Sequence, residues 1–509
     1  MADGTTIDEL VRSRAALYGD KPMVIDPSAR TDYRQLDAAT RDLAAVFIEA
    51  GVTKGTRVGL IMPNGARWVE VALALTRVGA VLVPLSTLLA AGELAAQLRV
   101  AAVQFLISVE EFRGHRYLDD MAPRTELPAL RQVWPAGRLA DAVAGGRARR
   151  LVDAMTAAVT AADPLIIMFT SGSSGAPKGV MHSHGSALGA VRSGLAARRI
   201  TADSRLYLPM PFFWVGGFGS GILSTLLAGA TLVTEEIPRP ETTLRLLEAE
   251  RVTLFRGWPD QAEALARHTA TLGADLSALR PGSLQALLPP AQRAQPGARA
   301  TLFGMTEAFG PYCGYAADTD MPAPAWGSCG KPFPGMEVRI VDVDSGECVP
   351  PGTVGMIQIR GPHTLRGICG RSREEIFTVD GFYPTGDLGR LDAGGFLFYH
   401  GRSDDMFKVS GATVYPSEVE QVLRTIEGVR SAFVTSVPGP TGQRVGAAVV
   451  CDRAVSADHL SRCARKLLSA FKIPTAWLLL ESDDRVPRGG TGKVDARRLR
   501  EMLIETQRS

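Results

Sequence analysis

The run Thr170-Ser171-Gly172-Ser173-Ser174-Gly175-Ala176-Pro177-Lys178-Gly179 follows an apolar segment, 165–169, with the length and composition of a buried strand, and precedes a helix-like stretch. A turn of glycine, serine and threonine presents open backbone N–H groups and hydroxyls, which together wrap phosphate oxygens, and Lys178 adds a positive charge. A flexible surface loop would share the Ser/Gly richness. The strand before it and the flanking Thr170, Pro177 and Lys178 point instead to phosphate binding. This is not the phosphate loop of nucleotide hydrolases, which ends in Gly-Lys-Ser/Thr, because Lys178 here stands between Pro177 and Gly179.

On the N-terminal side of this run, helix and strand patterns alternate. Thr6 and Glu9 have capping-box spacing ahead of Leu10 and Val11. Residues 35–49 place Leu36, Ala39, Leu43, Val46 and Phe47 at helical spacing. The short apolar runs 58–62 and 80–83, with a helix-like stretch 68–78 between them, read as a β-α-β unit of a mainly parallel sheet. Residues 134–163 read as loop, and the arginine-rich Gly145-Gly146-Arg147-Ala148-Arg149-Arg150 within them as a solvated one. Beyond the run, 207–208, 230–234 and 253–255 read as further strands. From about 333 to 400, short strands at 338–341 and 356–360 are separated by Gly and Pro, the pattern of a smaller β-rich subdomain. The polar turn Gly401-Arg402-Ser403-Asp404-Asp405 then leads into a compact α+β pattern, with Ser417 and Glu420 placed to cap a helix running to 426. The expectation is an α/β chain. A large N-terminal domain, 1–400, has layered sheets, helices and the β-rich subdomain; a small mobile α+β domain follows, 401–509.

The chain of 509 residues carries 56 Lys and Arg against 53 Asp and Glu, a formal charge of +3. That balance gives no support for a nucleic-acid or membrane-surface partner. Six cysteines, none in a C-x-x-C pair, exclude zinc spacings and suit a reducing compartment. The acidic start Met1-Ala2-Asp3-Gly4 lacks a signal pattern, and no apolar run reaches the ~18 residues of a membrane span. A cytoplasmic protein is the expectation.

The chain resembles the adenylate-forming enzymes, the group of acyl-CoA synthetases, luciferases and peptide-synthetase adenylation domains. The resemblance spans about 30 to 500. It is carried by the phosphate run with Pro63-Asn64, Gly79-Ala80-Val81 to Pro84, Gly304-Met305-Thr306-Glu307, Tyr383-Pro384-Thr385-Gly386-Asp387, Gly401 to Gly411, and Gly489-Gly490-Thr491-Gly492-Lys493, in matching order and separation. It implies that ATP with Mg²⁺ activates a small-molecule carboxylic acid as an acyl-adenylate, and that coenzyme A then takes the acyl group. A homodimer is compatible with it.

The resemblance gives each element a task. Thr170, Ser171, Gly172, Ser173, Ser174, Gly175 and Lys178 hold phosphates, Phe303 lies against adenine, and Gly304 beside it belongs to the ATP-binding set. The Asp387 carboxylate accepts from two ribose hydroxyls, and Arg402 reaches ribose or phosphate. Glu307 supplies the hard oxygen that Mg²⁺ prefers, and Thr306 bonds the α-phosphate. Lys493 bridges the carboxylate and the α-phosphate, where negative charge accumulates. Asp404 matches the hinge about which the C-terminal domain rotates after adenylation, presenting a face that includes Lys408 and Gly411 for thiol attack.

Two departures bear on the acid. Met210-Pro211-Phe212-Phe213-Trp214-Val215-Gly216-Gly217-Phe218-Gly219 matches an aromatic stretch bordering the acyl pocket, with Trp214 where many relatives carry His. Phe213, Trp214, Gly216 and Gly217 are therefore acyl-pocket candidates, the glycines as providers of space for a bulky ligand. The segment 280–300 is short and proline-rich where relatives have a longer wall. A more open pocket suits a large or polycyclic acid, and resembles the acyl-CoA synthetases of diterpenoid antibiotic pathways such as platensimycin's. Two alternatives stand beside the synthetase. One is an acyl-AMP ligase that loads a carrier protein; the other is a non-catalytic nucleotide-binding relative, against which Lys178, Glu307, Asp387 and Lys493 all argue.

Overall fold

A computed structural model describes residues 5–119, 121, 126–171, 177–403, 407–409, 412–439, 442–452, 455–468, 472–488 and 494–506. The fold is α/β, and the chain sorts into two compact units. One comprises Met1–Val338, Ile359–Tyr383 and Gly395–Leu397; the other comprises Arg339–Gln358, Pro384–Gly394 and Phe398–Ser509.

The first unit contains two large sheets. One has the strand order Gly367–Ile368, Pro177–Ser183, Pro164–Ser171, Val81–Pro84, Arg57–Ile61, Phe105–Ser108, Gln132–Pro135. Its last five strands run parallel, and its first two pair antiparallel. The strands Arg57–Ile61 and Val81–Pro84 flank the helix Ala66–Arg77, as the β-α-β reading expects. The second sheet has the order Leu254–Phe255, Arg205–Tyr207, Thr231–Val233, Pro22–Ile25, Arg30–Asp32.

The helix Ile7–Tyr18 begins with the expected capping box: Thr6 and Glu9 exchange side-chain-to-backbone hydrogen bonds. Tyr33–Glu49 is the predicted second helix. A fully buried guanidinium ties these two helices to the third. Arg77 bonds Asp8 Oδ1 through Nε (2.9 Å), Asp37 Oδ1 through Nη2 (3.0 Å) and Thr40 Oγ1 through Nη1 (2.7 Å). Its donors are thereby satisfied in a place where an unpaired charge would be costly.

Residues 134–163 differ from the loop reading. Gln132–Pro135 is a strand, and Gly146–Ala157 is a helix containing the arginine-rich run. The reason lies in spacing: Ala148, Val152 and Thr156 repeat every four residues and are buried while the arginines point outward. The second difference is at the phosphate run. It joins two antiparallel strands, with Thr170 opposite Lys178, and the helix His184–Arg198 starts only after the second of them. Lys178 therefore lies on a strand, and no helix starts directly after the run.

His184 illustrates how the first unit closes on itself. Its Nδ1 accepts the backbone N–H of Ile7 at 3.2 Å, and burial holds its pKa down at about 4. A histidine whose folded pKa lies below its unfolded value of 6.5 favours the folded state at neutral pH, and that advantage is lost as pH falls from 6.5 toward 4. We expect about 2 kcal/mol of stability from this group to be gone by pH 5. Urea unfolding of the parent and of His184→Asn at pH 7 and pH 5 checks this: the parent should lose more than the variant.

The second unit carries most of a four-stranded sheet, ordered Glu337–Val341, Gly355–Arg360, Tyr383–Leu391, Leu397–Arg402. This is the expected β-rich stretch, and by packing it sorts largely with residues beyond 398. It also holds the hairpin Phe407–Val409 with Ala412–Val414, and a sheet ordered Val429–Gly439, Gly442–Cys451, Ala476–Leu480. The helix Pro416–Leu423 starts at Tyr415 without a side-chain cap. Pro416 supplies the first-turn geometry. The hydroxyl of Ser417 instead donates to the His400 carbonyl, and Glu420 accepts from the backbone N–H of Val434 at 2.9 Å. No helix among the described residues is long and apolar enough to cross a membrane.

Candidate active site

Strand alternation builds the first cluster. On Pro177–Ser183, Lys178 and His182 are four residues apart and so share a face. That face meets the turn Thr306–Ala308. Lys178 Nζ makes an ion pair with Glu307 Oε1 and hydrogen-bonds the Tyr383 hydroxyl at 2.6 Å, and that hydroxyl lies 3.1 Å from the same Glu307 oxygen. The carboxylate is nearly buried, its side chain 7% exposed.

His182 Nε2 lies 2.7 Å from the Thr306 carbonyl oxygen. Burial lowers its pKa to about 4, so the ring is neutral and Nε2–H is the donor. The Glu307 carbonyl accepts from the backbone N–H of Leu365 at 2.7 Å. Both carbonyls of the Thr306-Glu307 turn are thus fixed. Phe309 ends the turn in left-handed geometry (φ 53°), its ring 5.0 Å from that of His182.

Upstream of the turn, Gly304 pairs so closely across its hairpin that a Cβ there would lie 2.1 Å from the Gly310 carbonyl oxygen. Only glycine fits. Phe303 sits partly exposed with its ring edge-on to Tyr312, centroids 5.5 Å apart. One flank of the ring is thereby fixed by protein, which is what stacking a planar base requires.

The second cluster lies on Tyr383–Leu391, where Tyr383, Thr385 and Asp387 alternate onto the buried face. Thr385 Oγ1 donates to the Ile357 carbonyl at 2.7 Å, and the Asp387 N–H donates back to Thr385 Oγ1 at 3.0 Å. Arg402 Nη1 reaches the Thr385 carbonyl (3.0 Å) and Asp387 Oδ1 (3.3 Å). Gly386 adopts φ 73°, and the Arg402 guanidinium stands 2.9 Å from where its Cβ would be. Glycine between Thr385 and Asp387 therefore has two causes, left-handed backbone and a close neighbour.

In the aromatic stretch, the Trp214 ring meets Phe213 edge-on at 5.5 Å and Trp258 at 6.0 Å. Asn64 clamps the stretch from below. Its Nδ2 donates to the Met210 carbonyl (3.0 Å) and its Oδ1 accepts from the Phe212 N–H (2.8 Å). The glycines do not leave room as expected. A Cβ on Gly216 would lie 2.6 Å from the Met210 sulfur, and one on Gly217 would lie 2.1 Å from the Pro211 carbonyl oxygen. Their absent side chains permit close packing of the Gly216–Leu223 π-helical segment and do not enlarge a pocket. The 280–300 segment forms two short turns, Gln285–Leu287 and Pro290–Gln292. Leu287 and Leu288 are buried beneath them, packed with Tyr207 and Phe255.

Lys178 and Glu307 are thus brought together, as are Asp387 and Arg402, and Thr170 lies at the strand end opposite Lys178. Gly172, Ser173, Ser174, Gly175, Asp404, Gly411 and Lys493 lie outside the described residues, as do the side chains of Ser171 and Lys408. Tyr383 and His182 are additions to the expected set. Period-two counting from Lys178 and from Asp387 is the signal that would have found them.

The residues present fit magnesium bound with a nucleotide. No cluster of three or more His, Cys, Asp or Glu exists among the described residues, so no all-protein cage is formed. Mg²⁺ bound with a nucleotide uses one or two carboxylates beside phosphate oxygens and water. Glu307 offers such an oxygen: both donors sit on Oε1, and the described residues place none on Oε2.

Residues 11–369 match the AMP-binding enzyme family. The chain is 34% identical to a 3-[(3aS,4S,7aS)-7a-methyl-1,5-dioxo-octahydro-1H-inden-4-yl]propanoyl:CoA ligase of Mycobacterium tuberculosis, over 97% of this chain and 98% of that one. It is 32% identical to a feruloyl-CoA synthase of an Amycolatopsis species, over 91% and 92% of the two chains. The fold superposes on an anthranilate CoA ligase, AuaEII, in complex with anthranoyl-AMP, with TM-score 0.82, 22% identity, and coverage of 100% of this chain and 99% of that one. By the family match and these relatives, the chain belongs to the AMP-binding enzyme family and is an adenylate-forming acid–thiol ligase that makes acyl-CoA from a carboxylic acid, ATP and coenzyme A.

Proposed function

We propose that the acid activated by this acyl-CoA synthetase is bulky and ring-bearing. The observation that carries the reading is the edge-on aromatic group Phe213, Trp214 and Trp258, which offers ring edges and faces to a rigid apolar ligand. The relatives support it, since the acids in their names are a fused bicyclic propanoate and ferulate.

The reading has two steps. In the first, Phe303 packs on adenine, Asp387 and Arg402 hold ribose, and Lys178 with the 170–175 turn holds phosphates, while Lys493 spans the acid and the α-phosphate. Bound magnesium supplies charge neutralisation on the phosphate oxygens, with Glu307 as its protein ligand. In the second step the 401–509 domain turns about Asp404, withdraws Lys493 and presents Lys408 and Gly411 to the incoming thiol. The free cysteines at 313, 329, 348, 369, 451 and 463 support a reducing, cytoplasmic setting.

Pyrophosphate release across short, long-chain, aryl and polycyclic acids, with and without coenzyme A, tests the reading. Fused-ring or aryl acids should release pyrophosphate, and thioester should form only with coenzyme A. Trp214→Ala should lower kcat/KM for the best ring-bearing acid about tenfold or more, with little effect on a short acid. Preference for a straight long chain in the parent would overturn the ring assignment. Adenylate formation without thioester would overturn coenzyme A as the acceptor.

A further inference from the structure

Glu307 carries two donors on one oxygen, and they differ in kind. Lys178 is a flexible cation, and it is the group to be drawn toward phosphate when nucleotide enters. If it leaves, Oε1 of a nearly buried carboxylate loses its ion pair, which is costly unless another donor remains. Tyr383 is that donor. Its ring is buried, 6% exposed, on the strand Tyr383–Leu391, and its side chain has two torsions where lysine has four. Its hydroxyl touches both Lys178 Nζ (2.6 Å) and Glu307 Oε1 (3.1 Å), so it need not move for the lysine to change partners. The carbonyl side of Glu307 is already fixed by Leu365 and, through Thr306, by His182, which leaves side-chain rotation as the remaining freedom.

We propose that Tyr383 is a positioning residue: its hydroxyl fixes Oε1 of Glu307 so that Oε2 stays directed to magnesium after Lys178 has moved to phosphate. Tyr383 touches neither metal nor nucleotide in this assignment and acts through the carboxylate. Partners of metal-ligating carboxylates typically set about 10- to 100-fold in metal affinity.

The test uses the full chain and needs no acid, so it is independent of the substrate reading. Isothermal titration with ATP is run in excess Mg²⁺ and again in EDTA. Tyr383→Phe should weaken binding of the magnesium complex about tenfold or more and leave binding of metal-free ATP within twofold of the parent. It should also raise the Mg²⁺ concentration at which the magnesium-dependent gain in ATP affinity is half-maximal. In the Glu307→Gln background, Tyr383→Phe should have no further effect on the magnesium dependence. Three results would overturn the assignment: unchanged magnesium dependence, equal weakening with and without metal, or an additive effect in the double variant. If Tyr383→Phe does not fold, Tyr383→His restores a donor on a ring. It should retain magnesium-dependent binding closer to the parent than Tyr383→Leu does, and equal loss in both would also overturn the assignment.

Discussion

Lys493→Ala is expected to lower acyl-adenylate formation by about three orders of magnitude, while thiolysis of a supplied acyl-adenylate continues near the parent rate. Two negatively charged groups, the carboxylate and the α-phosphate, must approach within bonding distance, and a cation between them lowers the barrier only as they do so. Removal of one such preorganised group costs roughly 10²- to 10³-fold, more here because a full charge is lost. The segment carrying Lys493 is closed at its base by the bridge between Arg488 and Val494 and by the Asp495 N–H donating to the Pro487 carbonyl at 2.8 Å. The truncation should therefore leave the surrounding fold intact. Pyrophosphate exchange measures the first step, and thioester formation from synthetic adenylate measures the second. Equal loss in both would remove Lys493 from the assigned role.

The second large effect is expected at Asp387. Asp387→Asn keeps the shape but replaces a charged acceptor with a neutral amide, half of which is a donor. Charge-assisted hydrogen bonds are roughly twice as strong as neutral ones, and loss of two is worth on the order of 3 kcal/mol. kcat/KM for ATP should fall about 100-fold in pyrophosphate exchange, mostly through KM. Arg402 also loses its anionic partner, but it keeps the Thr385 carbonyl at 3.0 Å, so the melting temperature should change little. An unaltered KM for ATP would show that Asp387 does not hold ribose.

Motif order made the family legible, because its chemistry imposes residue types that no packing requirement would select: a carboxylate after a tight turn, a lysine in a glycine-rich segment. The capping box at Thr6 and the β-α-β unit around 57–84 were legible because caps and periodicity are local. The helix at 146–157 was obscured by its arginines, which outnumber the buried face formed by Ala148, Val152 and Thr156. The antiparallel return of Pro177–Ser183 onto the adjacent strand Pro164–Ser171 was hidden because its first residues, Pro177, Lys178 and Gly179, lack the β-branched and aromatic alternation that marks a strand. The glycines at 216 and 217 misled for a related reason. A missing side chain reads as empty space in sequence, whereas Met210 and the Pro211 carbonyl fill it in the fold.

The pairing of Val24 with Leu232 has a consequence for how the chain is made. The helix Ile7–Tyr18 donates its Ile7 N–H to His184 Nδ1, and the strand Pro22–Ile25 finds its parallel neighbour in Thr231–Val233. At synthesis rates of about 5–20 residues per second, the nascent first strand spends roughly 10–40 seconds outside the ribosome before its partner exists. During that interval Met23, Val24 and Ile25, fully covered in the finished protein, have nothing to cover them. A holdase chaperone, or slow translation at low temperature, should therefore raise the soluble yield of the recombinant protein more than any change at the active site.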